Sequence, residues 1–111
     1  MKISCEQHGD IALVIASGDF AHDGEDQFRR VVGERLAQGS RSVILDLANV
    51  PSTDSAALEC LLWTAEETAH RGGTLRLVAP QDHVREALRL TRLTDRFEYA
   101  ESVELAARSM R

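Results

Sequence analysis

Residues 11–18, Ile-Ala-Leu-Val-Ile-Ala-Ser-Gly, are apolar at almost every position. A strand with one wet face alternates apolar and polar side chains, because successive Cβ atoms point to opposite sides. Loss of that alternation predicts a strand buried on both faces, the setting of a parallel sheet in an α/β protein. Such a strand needs other elements of the chain to cover it.

The flanking pattern supplies them. Residues 2–7 set Ile3 and Cys5 against Lys2, Ser4 and Glu6, which predicts a short edge strand. The turn signal His8-Gly9-Asp10 makes it a hairpin with 11–18. Residues 24–38 repeat Phe28, Val31, Val32 and Leu36 on one helical stripe, and Gly39 is placed to end it. A strand is expected at 42–47. A helix is expected at 54–71, with Leu58, Leu61, Leu62, Ala65 and Ala69 inward and Gly72-Gly73 as its stop. Residues 74–79 read as a strand with one wetter face. Residues 80–93 read as a helix entered by Pro80 and capped by Asp82, with Val84, Ala87, Leu88 and Leu90 as its apolar side. Residues 96–100 read as a final strand. Residues 102–110 read as a helix capped by Ser102, with Val103, Ala106, Ala107 and Met110 on one face. The order implies one α/β domain over 1–111, a mixed but mostly parallel sheet of about four to five strands packed with about four helices.

A chain of 111 residues buries a core without disulfides or metals. Its net charge of −5, with scattered acids, carries no basic footprint, so no nucleic-acid partner is expected. Cys60 lies within an expected helix and reads as a small buried hydrophobe; pairing with the distant Cys5 stays open. No secretory signal precedes them and no apolar run matches a bilayer, so a reduced, cytoplasmic protein without membrane insertion is expected.

The polar cluster Ser52-Thr53-Asp54-Ser55 separates a strand-like run from a helix-like run. As a hydrolase nucleophile Ser55 would need a base and an oxyanion hole. It lacks the glycines of a G-x-S-x-G elbow, and His70 lies roughly 22 Å further along the helix axis. No His or Cys spacing matches a zinc site, and no phosphate-cradling loop occurs, so neither an enzyme nor a cofactor is expected. Two readings remain. Asp54 and Ser55 are ordinary helix-start residues; alternatively, with Asp54 as N-cap, Ser55 opens the helix with its hydroxyl at the positive end of the dipole, where a phosphate is tolerated.

The stretch Val-Ile-Leu-Asp-Leu-Ala-Asn-Val-Pro-Ser-Thr-Asp-Ser-Ala-Ala-Leu-Glu-Cys-Leu-Leu (43–62) resembles the signature of STAS domains, the fold of bacterial anti-sigma-factor antagonists. In that family a strand ends in Asp-Leu, and after a short loop Asp-Ser-Ser-Gly-Leu opens a helix. Asp46-Leu47, Asp54-Ser55 and Leu58 match. Residues 15–20, Ile-Ala-Ser-Gly-Asp-Phe, resemble the family's Gly-Glu-Leu-Asp segment, and 88–106 resemble its closing leucine-rich helix, Phe and last helix. The resemblance implies a protein that binds an anti-sigma factor which is itself a serine kinase, is released when Ser55 is phosphorylated, and is restored by a phosphatase. Departures are Ala56 and Ala57 for the second Ser and the Gly, and Ala21 for the later Asp, while Asp19 keeps the preceding acid. Some relatives carry glycines on the helix's outer face, where this chain has Glu59 and Trp63. The candidate partner-binding residues are therefore Asp54, Ser55, Ala56, Glu59, Trp63 and Asp19. Trp63 reads either as a binding anchor or as packing against the next helix. STAS-like subunits also serve as non-switching scaffolds in lipid-transport or stress-signalling complexes, which is the alternative reading.

Overall fold

The computed structural model describes residues 1–110. Five strands form one sheet in the order β1 (Lys2–His8), β2 (Ile11–Ser17), β3 (Ser42–Asn49), β4 (Leu75–Val78), β5 (Glu98–Ala100). β1 is antiparallel to β2, with His8 opposite Ile11 at the hairpin end; β2 through β5 run parallel. The helices are α1 (Glu25–Ala37), α2 (Ser55–His70), α3 (Asp82–Leu90) and α4 (Val103–Ser109), with 3-10 turns at His22–Gly24 and Thr94–Arg96. The α/β class and the mixed, mostly parallel sheet agree with the sequence reading.

Alternation along β2 and β3 splits the core in two, and this is why both strands read as continuous apolar runs. Ala12, Val14 and Ala16 with Val43, Leu45 and Leu47 face the main core beneath α1, α2 and α3. Leu13, Ile44 and Val78 face a smaller cluster closed by Ala106 of α4, with Val103, Ala107 and Met110 packed around it. Ser102 caps α4, its Oγ accepting from the Leu105 N–H at 3.1 Å.

The structure corrects several expectations. Ala69 is exposed, and the inward positions of α2 beyond Leu61 are Thr64 and Thr68, both fully buried. Threonine is admitted because each hydroxyl donates to its own helix, Thr64 to the Cys60 carbonyl at 2.8 Å and Thr68 to the Thr64 carbonyl at 2.9 Å. Leu90 is 67% exposed at the end of α3, which stops at that residue instead of continuing to 93. Arg92 takes a left-handed φ of 60° and the Leu93 N–H bonds back to the Leu88 carbonyl, a helix-ending pattern normally given to glycine. Asp82 is the first residue of α3, not its cap; Gln81 holds the cap position and its amide instead donates to the Ala48 carbonyl at 2.7 Å. The last strand is shorter than 96–100, since Thr94–Arg96 form a 3-10 turn. Both cysteines are free. Cys60 is buried, and burial pushes its thiol up to about 11.

Candidate functional site

The loops leaving β2 and β3 lie side by side at the carboxyl end of the parallel strands. The Gly18 N–H donates to the Asn49 carbonyl at 2.9 Å, the Phe20 N–H to the Ser52 carbonyl at 3.0 Å, and the Asp54 N–H to the Phe20 carbonyl at 3.3 Å. Phe20 thereby forms an isolated parallel bridge with Thr53. Its fully buried ring meets Phe28 of α1 at a centroid distance of 4.9 Å, so one aromatic anchor fixes the loop that fixes Asp54. A side-chain link completes the pair of loops: Ser52 Oγ donates to Asp19 Oδ1 at 2.8 Å.

Asp54 is the N-cap of α2, in extended backbone, and both its oxygens are engaged. Oδ1 accepts from the Ala57 N–H at 3.0 Å, and Oδ2 accepts from the His22 N–H at 2.9 Å. The Ala57 N–H foremost, then those of His22 and Ala56 and the nearby His22 imidazole, hold the carboxyl below the ordinary aspartate range against an opposing cost of desolvation. Ser55 follows as the first residue of a sixteen-residue helix and is exposed. Ala56 is half-buried; Ala57 and Leu58 turn into the core. The hydroxyl thus stands at the positive end of a helix of over four turns, next to first-turn amides that the Asp54 cap engages.

Glu59 is exposed one turn further on. Trp63, another turn along, is half-buried and packs on the main core. The helix it meets is the preceding one, α1, and not the next: the Arg29 guanidinium lies 5.2 Å from its ring centroid, and a Cβ built on Gly33 would sit 3.9 Å from Trp63 Cη2. Arg29 is itself paired with Glu25 at 3.4 Å. The structure therefore brings Asp19, Asp54, Ser55 and Ala56 together, sets Glu59 beside them, and places Trp63 in the α1–α2 seam.

Three contributors escape a reading of the sequence: Phe20, Ser52 and His22. Ser52 belongs to the polar cluster that marks the site, so its position was a signal. Phe20 reads as any core aromatic. His22 acts chiefly through its backbone N–H, which carries no residue-type signature.

Among the described residues no group of three or more His, Cys, Asp or Glu side chains is placed to hold a metal ion. No helix among them is long and apolar enough to cross a membrane.

Comparison with known proteins gives a consistent picture. A protein of Bordetella bronchiseptica, provisionally named anti-sigma factor antagonist BtrV, is 26% identical over 107 residues, covering 96% of this chain and 92% of that protein. A crystal structure of a provisionally named anti-sigma factor antagonist from Thermotoga maritima matches with a TM-score of 0.90 at 21% identity, over 97% of this chain and 93% of the other. The Bacillus protein SpoIIAA in its phosphorylated form matches with a TM-score of 0.78 at 19% identity, over 99% of this chain and 100% of the other. At these identities the two structures establish the fold. The family model for the STAS domain matches residues 2–106. The chain belongs to the STAS domain family.

Proposed function

We propose that this protein is an anti-sigma-factor antagonist that works by partner switching. It docks on an anti-sigma factor with serine kinase activity through the amino end of α2. Phosphorylation of Ser55 releases it, and a phosphatase resets it. Asp54, Ser55, Ala56 and Glu59 form the contact centre, with Asp19 at the rim and Trp63 at the α1–α2 border. An anti-sigma factor works where RNA polymerase does, so the reading places the protein in the cytoplasm.

One observation carries this reading: an exposed serine begins a long helix whose preceding aspartate already has both oxygens tied to backbone amides. A phosphate on Ser55 adds roughly −1.5 to −2 charges. The helix end tolerates it, worth about 0.3–1 kcal/mol of favourable dipole interaction. A partner seated over the same spot has to bury that charge, which costs several kcal/mol unless a cation answers it. The modification therefore acts on docking and leaves the fold alone. BtrV's name and the phosphorylated SpoIIAA structure support the same reading.

The test is incubation with the cognate kinase and ATP. One phosphate per chain is expected, and none on Ser55→Ala. Ser55→Asp is expected to weaken kinase binding in a calorimetric titration while shifting stability by no more than about 0.5 kcal/mol. Binding without any phosphate transfer would favour a non-switching scaffold.

A further inference from the structure

The sheet ends in two edges of unequal length. β5 has three residues, whereas β1 has seven and no proline. Gly9 (φ 62°) and Asp10 form the two-residue hairpin between His8 and Ile11. In such a hairpin the closing pair is hydrogen-bonded, so Lys2, Ser4, Glu6 and His8 bond to β2, and the backbone groups of Ile3, Cys5 and Gln7 point outward. Unpaired outward groups on a strand of this length are a template for another strand.

One side chain lies across that template. Arg35, near the end of α1, donates from Nη2 to the Cys5 carbonyl at 3.4 Å and from Nη1 to Gln7 Oε1 at 3.3 Å. Gln7 in turn donates to Ser40 Oγ at 2.7 Å and to the Gly9 carbonyl at 3.0 Å. No carboxylate among the described residues lies within ion-pairing distance of Arg35. Its charge is spent on the strand edge.

We infer that the outer edge of β1 is a pairing surface for a second copy of this chain, in antiparallel register centred on Cys5, and that Arg35 keeps it closed. The register follows from the residues. Centring on Cys5 uses the whole strand and sets Ile3 against Gln7 and Lys2 against His8 of the other copy. It also brings Lys2 diagonally against Glu6 of the other copy, twice by symmetry, on the face of the sheet where α4 packs on β3, β4 and β5 and leaves β1 bare. A register shifted by two residues toward Ser4 sets Lys2 directly opposite Glu6 but shortens the ladder and moves the two Cys5 residues apart, and the opposite shift shortens it and loses both charge pairs. The helices permit the approach: β2 and its counterpart would lie three strand spacings apart, about 14 Å, wider than a helix diameter of about 10–12 Å. The contact is isologous, so it closes at a dimer.

Cys5 provides the readout. It is half-exposed and unpaired, and opposite residues of an antiparallel pair have Cα atoms about 4.5–5.5 Å apart, within disulfide range. The experiment compares wild type, Arg35→Ala and Arg35→Met by light scattering at matched concentration. It then compares them for cross-linking by oxidised glutathione, which takes up the two electrons and two protons of the paired thiols. Arg35→Met keeps the apolar stem against β1 should the alanine variant fail to fold. The wild type is expected as a monomer and the Arg35 variants at twice its mass, cross-linked through Cys5 and not through buried Cys60. Lys2→Glu in the Arg35→Met background should return the monomer, and adding Glu6→Lys should restore the dimer. Monomeric Arg35 variants, a wild type that pairs equally well, or cross-links that survive Cys5→Ser would overturn the inference.

Discussion

Asp54 occupies the position where cap, loop anchor and charge meet. Its two oxygens serve different chain segments, Ala57 within α2 and His22 in the preceding loop. Asp54→Ala should therefore cost more than an isolated cap, toward the upper end of the roughly 0.5–2 kcal/mol range, read as a shift in urea midpoint. The carboxyl is held below its ordinary 3.8 by those amides. Its stabilising contribution is thus present above the unfolded-state value and is lost as pH falls through the lower folded-state value. Asp54→Asn keeps an acceptor for Ala57 but does not titrate, so its acid-unfolding curve should lack that component. A wild-type curve superimposable on that of the asparagine variant would exclude it. One residue earlier, Thr53 Oγ1 is shielded from solvent and finds no hydrogen-bond partner among the described residues. A buried hydroxyl left unsatisfied costs about 1–3 kcal/mol, and replacing it by an apolar group of the same shape removes that cost. Thr53→Val should therefore be neutral or stabilising by about 1 kcal/mol in the same assay, although it sits inside the site.

The elements divide into those whose pattern announced them and those whose tertiary neighbours decided them. β2 and β3 were legible because double burial erases alternation, and α2 because Asp54 and Gly72-Gly73 bracket it. Thr64 and Thr68 were not legible, since a threonine looks polar until its hydroxyl finds the carbonyl one turn back. Nor does the sequence pattern show why α4 crosses to the other face, because an apolar stripe does not name the surface it covers. At the site, the serine and its cap stood out in the sequence, while the supporting loop 18–22 joins them through backbone hydrogen bonds, the His22 N–H to Asp54 and the Ser52–Asp19 link, contacts that appear only once the two loops lie side by side. The turn between α2 and β4 shows the same limit. Two glycines read simply as a stop, yet they do different work. Gly72 has a left-handed φ of 75° with open space around it. At Gly73 a Cβ would land on the Arg41 carbonyl, a backbone atom that cannot swing aside. Gly72→Ala should cost about 1 kcal/mol from conformation alone. Gly73→Ala should cost about 3 kcal/mol or more, because β3 and β4 have to separate at their start. Equal shifts for the two variants in denaturant melts would contradict this distinction.

At the scale of the molecule, the two faces of the sheet carry separate duties. The α1–α3 face holds the main core and, through Phe20 and α2, positions Ser55. The α4 face holds a much smaller cluster around Leu13, Ile44 and Val78. A seven-residue helix has no independent stability, so α4 stays folded through this contact. Ile44 and Leu45 are sequence neighbours on β3, buried at 2% and 0% exposure, and point to opposite faces. Truncating either to alanine should cost about 2–5 kcal/mol of global stability. Their local effects should differ. Ile44→Ala should release α4 first, raising hydrogen exchange across Val103–Ser109 while the rate of Ser55 phosphorylation stays at the wild-type value. Leu45→Ala removes packing on the face that carries α2, and exchange should rise in α2 before α4. If Ile44→Ala slowed phosphorylation while exchange in α2 remained unchanged, the two faces would be coupled through the sheet, and the separation argued from the two clusters would fail.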